Sequence, residues 1–113
     1  MKLYLVVRSD LSAGARAAQL CHALRAFSEE HPEADREWYA CSNTLVLLEI
    51  VNEAALLLLH AAARERDIPV SLFREPDLQN AATALALDPS GRAMVRHLPL
   101  ALSASGSVAQ LVE

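Results

Sequence analysis

Leu3-Tyr4-Leu5-Val6-Val7-Arg8, running almost directly into Asp10-Leu11-Ser12-Ala13-Gly14-Ala15-Arg16-Ala17-Ala18-Gln19-Leu20-Cys21-His22-Ala23, decides the fold. The first segment is a short, bounded, partly β-branched apolar run, which reads as a buried strand over residues 2 to 8. In the second, Ser12 is a fair N-cap, and the helix it starts continues to about Glu30, before His31-Pro32 forbids continuation. A strand therefore feeds a helix, and junctions of this kind often hold ligands. On a wheel of about 100° per residue, Ala13, Ala17, Leu20, Leu24 and Phe27 form the core stripe. Gln19 and His22 share a face almost opposite it, with Ala15 and Ala26, which predicts that both stand clear of the main hydrophobic contact. A ligand-holding face and a plain solvated face fit that placement equally well.

Working outward, Thr44 to Val51 reads as a second apolar strand, after a polar connection that contains Trp38 and Tyr39. Asn52 caps a second helix that begins at Glu53. Leu56, Leu59 and Ala63 supply its core stripe, and Glu53, Leu57, His60 and Arg64 fall on the far side. There Leu57 is either a single exposed leucine or a contact in a homodimer. Ile68 to Phe73 reads as a third strand, with Pro69 at its beginning, and Arg74 to Asn80 as a polar turn. Thr83 to Leu87 resumes an apolar strand, and His97 to Leu102 is a candidate fifth strand, placed at an edge by Pro99. The alternation predicts a single-domain, three-layer α/β/α sandwich with a mixed four- or five-stranded sheet over residues 1–103, followed by a small, polar C-terminal tail, 104–113.

The 113 residues suffice for one core, and 53% apolar with 4% aromatic content makes that core aliphatic. The formal net charge is −4, and the basic residues, nine Arg and one Lys, form no run. That balance offers no general nucleic-acid signature. Cys21 and Cys41 have no paired or metal-type spacing, which fits a reduced, intracellular chain, with Cys21 read as a structural thiol. His31, His60 and His97 have no ligand-like spacing to His22, so no metal site is expected. The start lacks a signal-peptide layout and no apolar segment approaches the ~20 residues of a bilayer span, so the expectation is a soluble, cytoplasmic protein without a membrane partner.

No glycine-rich phosphate loop is present, and adjacent helix positions diverge too far for Cys21 and His22 to form a thiolate couple. What remains is a polar pocket between the first junction and the 74 to 83 segment. Its candidate members are Asp10, Arg16, Gln19 and His22 on one side, and Glu75, Asp77, Asn80 and Thr83 on the other. A carboxylate near a histidine or arginine can position a water for hydrolysis, given a base, an orienting group and a donor to the oxyanion. A solvated turn for Glu75 and Asp77, and an ordinary strand residue for Thr83, are the plain alternatives.

The pattern of an apolar strand, then Val6, Arg8, Asp10 and Leu11, then Ala17, Ala18, Gln19, His22 and Ala23, resembles the archaeal and eukaryotic class of peptidyl-tRNA hydrolase, the second family. Thr83-Ala84-Leu85-Ala86-Leu87-Asp88-Pro89 resembles that family's threonine-led strand, and the likeness spans residues 2 to about 102. It implies hydrolysis of the ester joining a peptide to the terminal ribose of tRNA, with no metal or organic cofactor, and peptidyl- or aminoacyl-tRNA as partner. Members usually carry a lysine after the glycine that precedes Ala-Ala-Gln, an aspartate at the end of the third strand and a threonine soon after it. Here Ala15 follows Gly14, with Arg16 rotated to another face; counting back without gaps from Thr83, Ser71 takes the aspartate position and Glu75 the first threonine position. Arginine holds an anion but does not shuttle protons. Ala13-Gly14-Ala15, together with Glu75-Pro76-Asp77 and Asn80-Ala81-Ala82-Thr83, is more similar to a divergent, hydrolase-domain-containing subgroup.

Two functions follow as expectations. In the first, an acylated tRNA ester is attacked by water activated among Gln19, His22 and Thr83, with Arg16 on a phosphate or oxyanion and Glu75 or Asp77 as base. Asp10 and Asn80 complete the substrate-binding set. In the second, a catalytically inactive binding module uses the same scaffold to hold a protein or RNA partner.

Overall fold

The computed structural model describes residues 1–103; the tail expected at 104–113 lies outside them. The chain order is β1 (Lys2–Arg8), α1 (Ala13–Glu30), α2 (Pro32–Cys41), β2 (Thr44–Ile50), α3 (Glu53–Glu65), β3 (Val70–Glu75), β4 (Ala81–Leu87) and a short α4 (Arg92–Val95). One 3-10 turn, Pro76–Leu78, lies between β3 and β4, and another, Pro89–Gly91, precedes α4. Four strands form one mixed sheet in the order β2-β1-β4-β3. β1 is parallel to β2 and antiparallel to β4, which is antiparallel to β3. Central β1 is covered on both faces, which is why its sequence is a continuous apolar run rather than an alternating one.

The helices form the outer layers. Leu3, Leu5 and Val7 of β1 pack with Leu20, Ala23, Phe27 and Trp38 of α1 and α2, while Tyr4 and Val6 point the other way, to Leu56, Ala63 and Val95 of α3 and α4. Ser12 caps α1 by accepting from the Ala15 N–H, and Asn52 caps α3 by accepting from the Ala55 N–H at 2.9 Å, as their positions predict. Both boundaries of α1 agree with the sequence reading.

Five local expectations are corrected. The polar connection after His31 is helix α2: Pro32 occupies its first turn with Glu33 and Asp35, and buried Trp38 donates its indole N–H to the Thr44 carbonyl at 2.7 Å. The third strand runs two residues later than expected, because Asp67 to Pro69 close α3 before pairing begins at Val70. The candidate fifth strand is a single bridge, Leu48 to Leu100; the Pro99 carbonyl and Ala101 N–H bond to β2, and Pro99 has no N–H to extend the ladder. Leu57 packs against the α3-side core and Leu58 is the exposed leucine, at 73%. Cys21 and Cys41 are both exposed, and Cys41 ends α2, so Cys21 is no core thiol.

Candidate active site

The site is built where β4 departs from regular pairing. Phe73 opposes Ala84 and Arg74 opposes Ala82, so Thr83 is an extra residue with no partner of its own on β3. Strict alternation would send Thr83 and Ala84 to opposite faces of the sheet. The bulge instead turns both toward α1, where Ala84 joins the apolar core and the Thr83 hydroxyl meets Gln19. The Ala82 N–H at the same place is taken by Glu53 Oε2 of α3 at 2.7 Å.

Three side chains form a directional chain. Thr83 Oγ1 donates to Gln19 Oε1 at 2.6 Å, and Gln19 Nε2 donates to Glu75 Oε1 at 2.8 Å. Chemistry fixes the amide orientation: an ionised carboxylate only accepts, so the Gln19 NH2 must face Glu75, which leaves its carbonyl to the hydroxyl. The second Glu75 oxygen accepts from the Asp77 N–H at 3.3 Å. The Gln19 hydrogen bond, then the Asp77 N–H and the nearby His22, hold the Glu75 carboxyl below its ordinary range. Glu75 is therefore an anion at working pH.

His22 is exposed, one turn along α1 from Gln19, and its ring stacks on Phe73 with centroids 4.6 Å apart and planes 18° from parallel. The structure thus brings together Gln19, His22, Glu75 and Thr83. Gln19 is buried, against the expectation of a solvated face, because the buried stripe of α1 is Gln19, Leu20, Ala23 and Phe27. The wheel extrapolated from Ala13 and Ala17, which are both exposed.

The other expected members have different partners. Asp10 pairs with Arg8, which donates to both carboxylate oxygens at 2.9 and 3.0 Å and to the Ala82 carbonyl at 3.2 Å. That hydrogen-bonded pairing raises Arg8 and lowers Asp10 from their ordinary values. Arg16 is paired with Glu49 of β2 and so is turned away from the carboxylate chain. Asp77 contributes its backbone N–H, and Asn80, in the left-handed conformation at φ 61°, closes the turn by donating its N–H to the Glu75 carbonyl. Ser71, which the gapless count from Thr83 put at the aspartate position, is fully buried one residue into β3, and its hydroxyl has no partner among the described residues. The residue at the end of β3 is Glu75. Sequence reading missed Phe73, Glu53 and Glu49; only the alternation of Phe73 with Glu75 hinted at a shared face.

Beside the chain lies an open groove of ≈ 400 Å³ lined by Arg8, Leu11, Asp77, Leu78, Gln79 and Ala81. No group of three or more His, Cys, Asp or Glu among the described residues is arranged to hold a metal ion. No described helix is long and apolar enough to cross a membrane.

Residues 1–103 match the family described as peptidyl-tRNA hydrolase PTH2. No curated protein matches the chain. Among solved structures, a protein of unknown function from Agrobacterium tumefaciens strain C58 superposes with a TM-score of 0.62 at 17% identity, covering 88% of this chain and 96% of that one. At that identity the likeness is one of fold.

Proposed function

The chain belongs to the peptidyl-tRNA hydrolase PTH2 family, and on that premise we propose that it hydrolyses the ester between a peptidyl group and the terminal ribose of tRNA at the Gln19, His22, Glu75 and Thr83 site. The observation that carries this reading is the Thr83 to Gln19 to Glu75 hydrogen-bond chain, which ends in a low-pKa carboxylate beside an exposed histidine. A carboxylate held ionised is a weak base, so the base is His22 and Glu75 supports it electrostatically. Water gives its proton to the imidazole as its oxygen bonds to the ester carbonyl carbon. The tetrahedral intermediate then expels the ribose oxygen, which takes the proton back from His22 and leaves as a hydroxyl. Gln19 and Thr83 are positioning residues: both are buried, and each acts on Glu75 through the chain.

The test is single-turnover release of N-acetyl-aminoacyl and peptidyl groups from tRNA by the intact protein. His22→Ala is expected to lose about a hundredfold or more in rate, the range of a general base, and Glu75→Gln a smaller factor. Absence of release at protein concentrations far above substrate, where a positive-control hydrolase cleaves, would reject turnover and leave the binding module.

A further inference from the structure

The two edges of the sheet are treated differently. Beyond β2 the segment around Pro99 to Ala101 is hydrogen-bonded along the strand, whereas no strand pairs with the outer side of β3 among the described residues. The direction of the β3 backbone groups follows from its two ends. The Pro69 carbonyl accepts from the Asp88 N–H and the Glu75 carbonyl from the Asn80 N–H, each at 3.0 Å. Odd-numbered residues therefore turn their backbone toward β4. Val70, Leu72 and Arg74 turn theirs outward, because the bulge lies in β4 and leaves the alternation of β3 unbroken. One outward group already has a partner: the Val70 carbonyl lies 3.1 Å from His31 Nε2, which must be the donor, and a carbonyl has a second lone pair to offer.

That edge borders a cleft of ≈ 610 Å³ whose walls include Val70, Leu72, His31, His60 and Arg64. In the other direction it runs to Glu75, about 10 Å from Leu72 at the ~3.3 Å per residue of a strand. The cleft and the carboxylate chain thus lie along one strand.

We propose that the outer edge of β3 is the subsite for the peptide half of the substrate. An extended peptide, joined at its C-terminal carbonyl to the tRNA beside Glu75, pairs its main chain with Val70, Leu72 and Arg74 and ends in the cleft. Main-chain pairing is indifferent to side chains, which suits a substrate defined by its ester and not by its peptide sequence. The inference rests on the hydrolase reading above.

The experiment uses two non-hydrolysable amides of 3′-amino-3′-deoxyadenosine, carrying N-acetyl-alanine or N-acetyl-tetra-alanine, titrated into the 15N-labelled full chain. Both are expected to shift signals around His22. Only the tetra-alanine compound shifts the Val70, Leu72 and Arg74 amides, and it binds about tenfold more tightly, as two added main-chain hydrogen bonds give. Leu72→Pro, which removes an outward N–H without touching the β4 ladder, abolishes that advantage and leaves the short compound unaffected. If that variant does not fold, a tetra-alanine compound N-methylated at its central amides makes the same comparison on the unaltered chain. Equal affinities, with the three amides silent and His22 responding, overturn the subsite alone. If neither compound perturbs His22 the hydrolase reading falls, and N-acetyl-tetra-alanine amide without the nucleoside decides the edge: shifts at the three amides keep a peptide subsite, and silence removes it. Shifts at those amides on concentrating the protein alone would show a second copy on the edge and overturn the proposal.

Discussion

At the scale of single residues, Thr83 enters the proposed site as a hydrogen-bond donor. Its hydroxyl fixes the Gln19 carbonyl, and the freed Gln19 NH2 holds Glu75 ionised. Thr83→Val keeps the shape and leaves a buried amide oxygen without its donor, which costs about 1–3 kcal/mol, read as a lower denaturant midpoint with unchanged slope. Glu75 then loses an oriented donor, so its pKa rises. A carboxyl whose folded pKa is depressed contributes stability above its unfolded pKa, and this is lost as pH falls through the folded value. The Glu75 carboxyl, held below its ordinary range in the parent protein, titrates at higher pH in the variant, read from its side-chain carboxyl NMR shift, and kcat falls more than KM rises. Thr83→Ser restores both; a variant whose Glu75 titration is unmoved would make Thr83 merely a core residue. The candidate types here were legible in the sequence, because Gln, His, Glu and Thr are uncommon among apolar runs. Their pairing was not, since it spans 64 positions between Gln19 and Thr83.

Among the elements, the junction of α3 with β4 governs the bulge. Glu53, the first residue of α3, serves its own helix dipole and also accepts the Ala82 N–H that the bulge would otherwise leave unpaired. Glu53→Ala leaves that buried donor unsatisfied, at a cost of about 1–3 kcal/mol, whereas Glu53→Gln retains an acceptor and most of the stability. Chemical denaturation orders the three proteins, and the Thr83 signals shift in the Ala variant if Glu53 holds the bulge in place. The sequence marked Glu53 as the first residue of a helix and left its bond to β4 unread. Helix ends are readable because their caps are local; Ser12 and Asn52 both form the bonds their positions predict. Helix α2 was not, because its ten residues bury only Trp38 and show no apolar stripe.

For the whole molecule, the arithmetic of charge bears on the proposed binding of tRNA. The net charge is −4, and the two arginines near the first junction, Arg8 and Arg16, are each paired with a carboxylate. Binding that relies on few free cations releases few counterions and depends weakly on salt. Glu49→Gln removes the partner of Arg16 and frees one guanidinium. Affinity for the tRNA acceptor end then rises at low salt, and the slope of log K against log salt steepens by about 0.7, the value for one single-strand phosphate. Fluorescence titration across a salt series measures it; an unchanged slope would mean that Arg16 does not reach the nucleic acid even when released.

The sequence by itself determined the sandwich, the boundaries of α1, both helix caps and the cast of polar residues, because apolar periodicity, capping and proline act within a few positions. The tertiary structure alone decided which of those residues meet. It inserted Thr83 as the bulge, buried Gln19 within the sheet-facing stripe of α1, set Glu75 rather than Ser71 at the strand end, and withdrew Arg16 to Glu49. A one-residue irregularity in pairing reverses the face of a side chain, and a salt bridge joins positions on separate elements, so neither leaves a periodic trace along the chain.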